Sequence, residues 1–344
     1  MSEDPSLKDI NRGSELRGAA DRTGRKSGQD GRERHRGRPR SEDRDVRARG
    51  GEDPSLEESE DRDARARGGN PSLRVGRILY ANLLPIFHAL TTHFFLEGVR
   101  FIPGTPSELN RKLRAGRLDI SPSSSIEYGM HPDRYLLCPD ISISSRSKVM
   151  SVLLLSNDPP GNLPDGPIAV TRASDTSVVL LEILLREFLG KRNRIVRTAM
   201  PPGEALRRHP AYLAIGDEAL QATLSGTARH ATDLGEWWRR ETGTPFVFAL
   251  WIVSRDALSR RREALRGFAR TLLTAKRIAQ ESLTRPEHLL IGPDWMPKEM
   301  RTAYWRNLSY DLEEEAEGLR RFYRLAKKIG RIRKAPTLRF LDLR

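Results

Sequence analysis

From residue 73 onward, apolar positions recur with two periods, and their succession predicts an α/β chain. Arg74-Val75-Gly76-Arg77-Ile78-Leu79-Tyr80 alternates as a strand does. Residues 81–84 form a connection, and Pro85 suits the first turn of a helix over about 85–95. Phe101-Ile102 reads as a short strand. Thr105-Pro106-Ser107-Glu108 then carries a capping box with proline at the first helical position. The helix over 106–115 stops at Gly116, and 118–121 is the next strand. This order predicts a largely parallel sheet with helices on its faces. Small ligands lie beyond the carboxyl ends of the strands in such sheets.

A second unit follows. Val149–Ser156 and Phe246–Val253 are apolar runs too even for surface strands, so both read as buried strands. Between them come a strand over 167–170, a polar loop over 171–177 and a helix over about 176–189. Its apolar residues at 178, 181, 184, 185 and 188 keep helical spacing, and Gly190 is its stop. Residues 194–197 and 211–215 are further strand candidates, the latter ending in the turn Gly216-Asp217-Glu218. Two long strands around an αβ unit imply a second lobe inserted into the first and joined to it by two crossings. The expected lobes are 74–153, 154–248, and 249–344 returning to the first. The last part is helical by pattern, over 257–282 and 310–329.

The first 73 residues have a different composition. They hold no aromatic residue and balance 17 Lys/Arg against 17 Asp/Glu. Such a segment buries too little apolar surface to offset its ordering entropy, so 1–73 reads as a disordered tail. It also repeats: Glu42-Asp43-Arg44-Asp45-Val46-Arg47-Ala48-Arg49-Gly50-Gly51 returns with one change at 60–69. The net charge of +14 therefore falls entirely on residues 74–344. An excess of that sign suits an anionic ligand, and an arginine-rich solvated surface would give the same count. No nucleic-acid signature accompanies it, so no nucleic-acid partner is expected. Cys138 is the only cysteine and lies in the apolar run Tyr135–Pro139, as a buried strand residue would. There is no apolar leader and no membrane-length apolar run, which points to a cytoplasmic protein without a membrane partner.

Candidate chemistry gathers at the predicted strand ends. Ser123-Ser124-Ser125 places three hydroxyls beside backbone N–H groups, a donor-rich wall suited to a carboxylated small molecule; a solvated serine turn is the plainer alternative. Ser174, Thr176 and Ser177 sit at a helix start, where an anion is favoured, although Ser174 or Asp175 could simply cap that helix. Asn82 is neutral and can donate and accept, and Asp217 follows a strand at a glycine turn. Glu127 and His88 are less well placed as general bases. The seven histidines form no metal-binding pair, and no dinucleotide, phosphate-loop or nucleophile-elbow motif occurs, so neither metal nor cofactor is expected.

These motifs together resemble the menaquinone-biosynthesis family that includes chorismate dehydratase. The resemblance runs through Gly76-Arg77-Ile78, Tyr80, Asn82 and Pro85 to His88, then Pro106–Asn110 and Ser123–Tyr128. It continues through Asp140–Ser145, Ser151–Leu154, Ile215–Leu220, Asp233–Trp237 and Pro245–Trp251, and so covers about 74–344. The Asn-Asp opening of the sister enzyme, dihydroxynaphthoate synthase, is not found. Membership implies a two-lobed fold like the type II periplasmic binding proteins, with two crossing strands. It implies a cytoplasmic hydro-lyase of the futalosine route that removes water from chorismate to give 3-[(1-carboxyvinyl)oxy]benzoate. On that basis Asn82 and Ser124 are the expected catalytic residues. Ser123, Ser125, Ser174, Thr176, Ser177 and Asp217 are the expected substrate-binding ones. A non-catalytic small-anion-binding protein on the same fold is the alternative.

Overall fold

The computed structural model describes residues 73–284 and 291–344. The reading of 1–73 as a tail lies outside the described residues except for Leu73, which opens the first strand. Eleven described strands form two sheets. The first has the order β11-β4-β10-β3-β1-β2, from β1 (Leu73–Arg77), β2 (Val99–Pro103), β3 (Ile120–Ser124), β4 (Tyr135–Ser145), β10 (Phe246–Ser254) and β11 (Leu308–Ser309). The second has the order β7-β6-β8-β5-β9, from β5 (Val152–Ser156), β6 (Ile168–Thr171), β7 (Ile195–Thr198), β8 (Ala211–Ile215) and β9 (His230–Asp233).

The sheets are mixed rather than largely parallel. β1 pairs in parallel with β2 and β3, but β10 returns antiparallel between β3 and β4. The second sheet repeats this, with β6 parallel to β7 and β8, and β5 antiparallel to β8 and β9. The chain crosses between the sheets twice, each time in a short connection beside an apolar run. Residues 146–151 join β4 to β5. The helix Leu234–Thr242 and residues 243–245 join β9 to β10. All nine residues of β10 are buried, which explains why its sequence shows no alternation.

One carboxylate holds the two crossings together. Asp233 caps the helix Leu234–Thr242 by accepting from the backbone N–H groups of Gly235 and Glu236. It also accepts from Val149 N–H at 3.0 Å and Met150 N–H at 2.6 Å in the other crossing. Burial raises its pKa, and these four N–H groups pull it back down. Gly235 has no alternative here, because a Cβ would lie 2.6 Å from the Ser147 carbonyl oxygen.

Local expectations fared differently along the chain. The capping box at Thr105 forms, and its helix runs Pro106–Arg114. The third strand lies further on than expected, at Ile120–Ser124, so Ser123 and Ser124 are strand residues and Ser125 opens a helix. Pro122 is tolerated because β1 pairs with β3 only at Val75↔Ile120. The helix expected over 176–189 is α-helical for Thr176–Ile183 and then widens into a π turn over Leu184–Phe188. The last helix begins at Glu315, not 310, because Tyr310 is tied down first. Its carbonyl accepts from Ser142 N–H, and its phenol donates to Asn82 O at 2.6 Å. Cys138 is fully buried in β4, and burial pushes its thiol up to about 12. No described helix is long and apolar enough to cross a membrane.

Candidate functional site

Beyond the carboxyl ends of β1, β3, β6 and β8 the two sheets face one narrow cavity of about 50 Å³. Its polar wall is Tyr80, Asn82, Ser124, Ser151, Ser174 and Ser177. Its apolar wall includes Ile78, Ile143, Val152, Ile215 and Phe248. Apolar walls with a few convergent polar groups are the usual form of a small-molecule site. Among the described residues Tyr80 is its only titratable lining residue, and burial together with Asp217, Glu218 and Glu108 pushes its phenol up to about 12. Gly216 is the tight point. Its φ of +60° and a Cβ that would sit 2.8 Å from the Tyr80 ring both require glycine.

Four of the eight residues singled out in the sequence therefore share one cavity: Asn82, Ser124, Ser174 and Ser177. Asn82 Oδ1 is buried with no hydrogen-bond partner. Ser124 is held from behind, its N–H donating to Asn110 Oδ1 at 3.2 Å, and its hydroxyl stays available at the cavity wall. Ser174 Oγ accepts from Ser177 N–H at 3.2 Å and donates to Ser177 Oγ at 3.1 Å. That hydroxyl lies just ahead of the helix Thr176–Ile183, and the bond it donates leaves the proton of Ser177 free to donate into the cavity.

The other four lie apart from the cavity lining. Ser123 is fully buried on the opposite face of β3 from Ser124, as strand alternation requires, and its hydroxyl has no partner. Ser125 donates to Val247 O at 2.8 Å and touches Thr176 Oγ1 at 3.3 Å, and Thr176 Oγ1 also accepts from Ile126 N–H. Asp217 Oδ1 accepts from Ala81 N–H at 3.0 Å, and burial raises its pKa. These last three groups tie the first sheet's loops to the second sheet's helices. Glu127 is fully buried behind its helix, where it accepts from the Tyr135 phenol at 2.9 Å, and burial raises its pKa. His88 is exposed on the helix Leu84–His93 and does not reach the cavity.

Further contacts close the lobes over the site. Ser107 N–H donates to Ala173 O at 3.1 Å. Asn110 Nδ2 donates to Asp175 Oδ2 at 3.0 Å, while Arg197 holds Asp175 Oδ1 at 2.7 Å. Asp175 carries the sign of a carboxylate ligand, but an arginine and an amide already occupy both its oxygens. Asn110 and Ser151 were not singled out as site residues from the sequence. Asn110 reads there as one polar position of an amphipathic helix, and Ser151 as part of an apolar strand.

A two-lobed α/β clamp, closed on a cavity lined by hydroxyls and one amide, defines the class of the periplasmic-binding-protein-like folds. A Candida albicans gene product described as having the generic periplasmic binding protein fold superimposes with a TM-score of 0.57. It shares 11% identity, with 80% of this chain and 99% of that one covered. The aliphatic sulphonate binding protein SsuA of Escherichia coli gives a TM-score of 0.53 at 15% identity, covering 78% and 95%. Sequence narrows the class. The chain belongs to the menaquinone biosynthesis family, whose profile matches residues 73–328. A chorismate dehydratase of Thermus thermophilus is 36% identical over 199 residues, covering 53% of this chain and 70% of that protein. One of Campylobacter jejuni is 29% identical over 201 residues, covering 57% and 74%.

Proposed function

We propose that the chain is a chorismate dehydratase, a hydro-lyase that converts chorismate to 3-[(1-carboxyvinyl)oxy]benzoate in menaquinone biosynthesis by the futalosine route. Family membership and two relatives of that name support the reading. The observation that carries the mechanism is the lining of the cavity, where the described residues offer neutral donors and acceptors and include no histidine, carboxylate or amine.

Loss of water from chorismate breaks one ring C–H bond and the neighbouring C–OH bond. The C–H electron pair enters the ring, which becomes aromatic, and the proton and hydroxyl leave as water. Aromatisation makes the elimination strongly downhill, so the protein has mainly to hold one conformer with the departing groups aligned. Asn82, Ser124 and Ser177 anchor the substrate's carboxylates, which need donors and not a base. The side-chain carboxylate of the substrate itself takes the ring proton. Tyr80 does not compete for that role, because a phenol raised to about 12 stays protonated at neutral pH. Closure of the lobes excludes bulk water and completes the site. The same reading places the enzyme in the cytoplasm, with a small molecule as its ligand and no nucleic-acid or membrane partner.

The full chain incubated with chorismate is expected to abolish the diene absorbance and to yield a product lighter by one water in mass spectrometry. Unchanged chorismate that nonetheless binds would favour a small-anion-binding protein on the same fold.

A further inference from the structure

Ser151 ends the first crossing and lies in the cavity wall at 4% exposure. Its backbone is fixed, because its carbonyl accepts from Gly216 N–H at 2.7 Å. Its side chain is fixed as well. The phenol of Tyr304, on the helix Lys298–Asn307, reaches Ser151 Oγ at 2.9 Å. Tyr304 is wholly buried, and among the described residues its phenol has no other hydrogen-bond partner. A buried phenol must place its proton, and Ser151 Oγ is the acceptor within reach. The serine therefore receives that bond on a lone pair, and its own proton points elsewhere. No described protein acceptor takes that proton, and the cavity lies beside it. Burial, with Asp217 and Asp233 nearby, raises the pKa of the phenol, so it keeps a proton to donate near neutral pH.

We infer that Ser151 is a substrate-contacting donor oriented by Tyr304, its hydroxyl hydrogen-bonding an oxygen of the bound dianion. Tyr304 is a positioning residue that acts only through Ser151. The assignment rests on the dehydratase reading and adds to it a donor on the crossing between the two sheets. The phenol polarises the serine hydroxyl as any donor in a hydrogen-bond chain does.

The test is a double-mutant cycle with Ser151→Ala and Tyr304→Phe in the full chain, following chorismate loss. Thermal unfolding of each variant checks that it is folded. Ser151→Ala is expected to lower kcat/KM about tenfold or more, in the range of a lost hydrogen bond to a charged group. Tyr304→Phe is expected to lower it about threefold, and the double variant should match Ser151→Ala within about twofold, because the phenol has nothing left to orient. Turnover by folded Ser151→Ala within about twofold of wild type would overturn the role of Ser151. Losses that multiply in the double variant would overturn the link to Tyr304. Wild-type protein that leaves chorismate unchanged would instead overturn the dehydratase reading, and this inference with it.

Discussion

Asn82 shows how much one side chain's charge state matters in a site whose described lining residues are neutral. Its Oδ1 is buried and unpartnered, and the Asp217 carboxylate stands one residue away, on Ala81 N–H. An amide there can donate to a substrate carboxylate, whereas a carboxylate there would repel it. Asn82→Asp changes hardly any volume, so packing is preserved and the effect reads on chemistry alone. The expected result is a fall in kcat/KM of about a hundredfold, the scale of a lost charge-assisted bond. A variant that binds chorismate and turns it over at the wild-type rate would remove Asn82 from the site. At this scale the strand-end rule was right for some residues and not for others. Asn82 and Ser124 follow β1 and end β3, and Ser174 and Ser177 follow β6, so a rule about sheets brought them to one cavity. Ser125, Thr176 and Asp217 were singled out by the same rule, yet they bond to Val247, to each other and to Ala81. Those partners are distant in sequence, and no local pattern announces them. Ser151 was missed because a serine inside an apolar run reads as strand, and only a tyrosine 153 positions later shows what its proton does.

Elements pack here through small residues whose meaning depends on what they face. The helix Glu315–Lys328 lies against the start of β10 at Gly318, where a Cβ would stand 1.8 Å from the Pro245 carbonyl oxygen. Gly267, in the helix Arg255–Leu283, has nothing within 4 Å of the same point. Both are helix-interior glycines, and helix propensity alone favours alanine at each by about 1 kcal/mol. The contact reverses the sign at one of them. Overpacking costs about 1–3 kcal/mol, and the obstructing atom is backbone that cannot swing aside. Urea unfolding should therefore find Gly267→Ala more stable by up to about 1 kcal/mol and Gly318→Ala less stable by about 1–2 kcal/mol. Equal effects of either sign would mean that the helix does not press on Pro245. No local pattern separates these two glycines, although both helices are legible from their periodicity. It also read the boundaries well where a cap is local, as at Thr105. It read them poorly where tertiary bonds decide, as at Tyr310, which Asn82 O and Ser142 N–H hold out of the last helix.

In the whole molecule the question is what keeps the clamp shut. Besides the Ser125–Thr176 hydroxyl pair, four hydrogen bonds bridge the lobes near the cavity among the described residues: Ser107 to Ala173, Asn110 to Asp175, Ala81 to Asp217, and Ile126 to Thr176. The first is backbone to backbone, and in two others the N–H groups of Ala81 and Ile126 donate to the side chains of Asp217 and Thr176. The fourth is made by side chains, and it is linked at both ends. Arg197 anchors Asp175, whose side chain is only 23% exposed, and Asn110 passes the contact on to Ser124 N–H in the cavity wall. Closure and the placement of a site residue are thus coupled through one carboxylate. Asp175→Ala should leave each lobe's core intact and shift the clamp toward its open form. A ligand that binds only the closed form then loses apparent affinity in proportion to the closed fraction. The expected outcome is a KM raised about five- to tenfold with kcat changed by less than about twofold, since saturating substrate restores closure. Small-angle scattering should show a larger radius of gyration without ligand and the wild-type value with it. A KM and a radius both unchanged would mean that the remaining links suffice to hold the lobes, among them the Asp217, Thr176 and Asp233 bonds and the Arg331–Glu182 ion pair. The Arg197–Asp175–Asn110 chain would then serve only to orient Ser124.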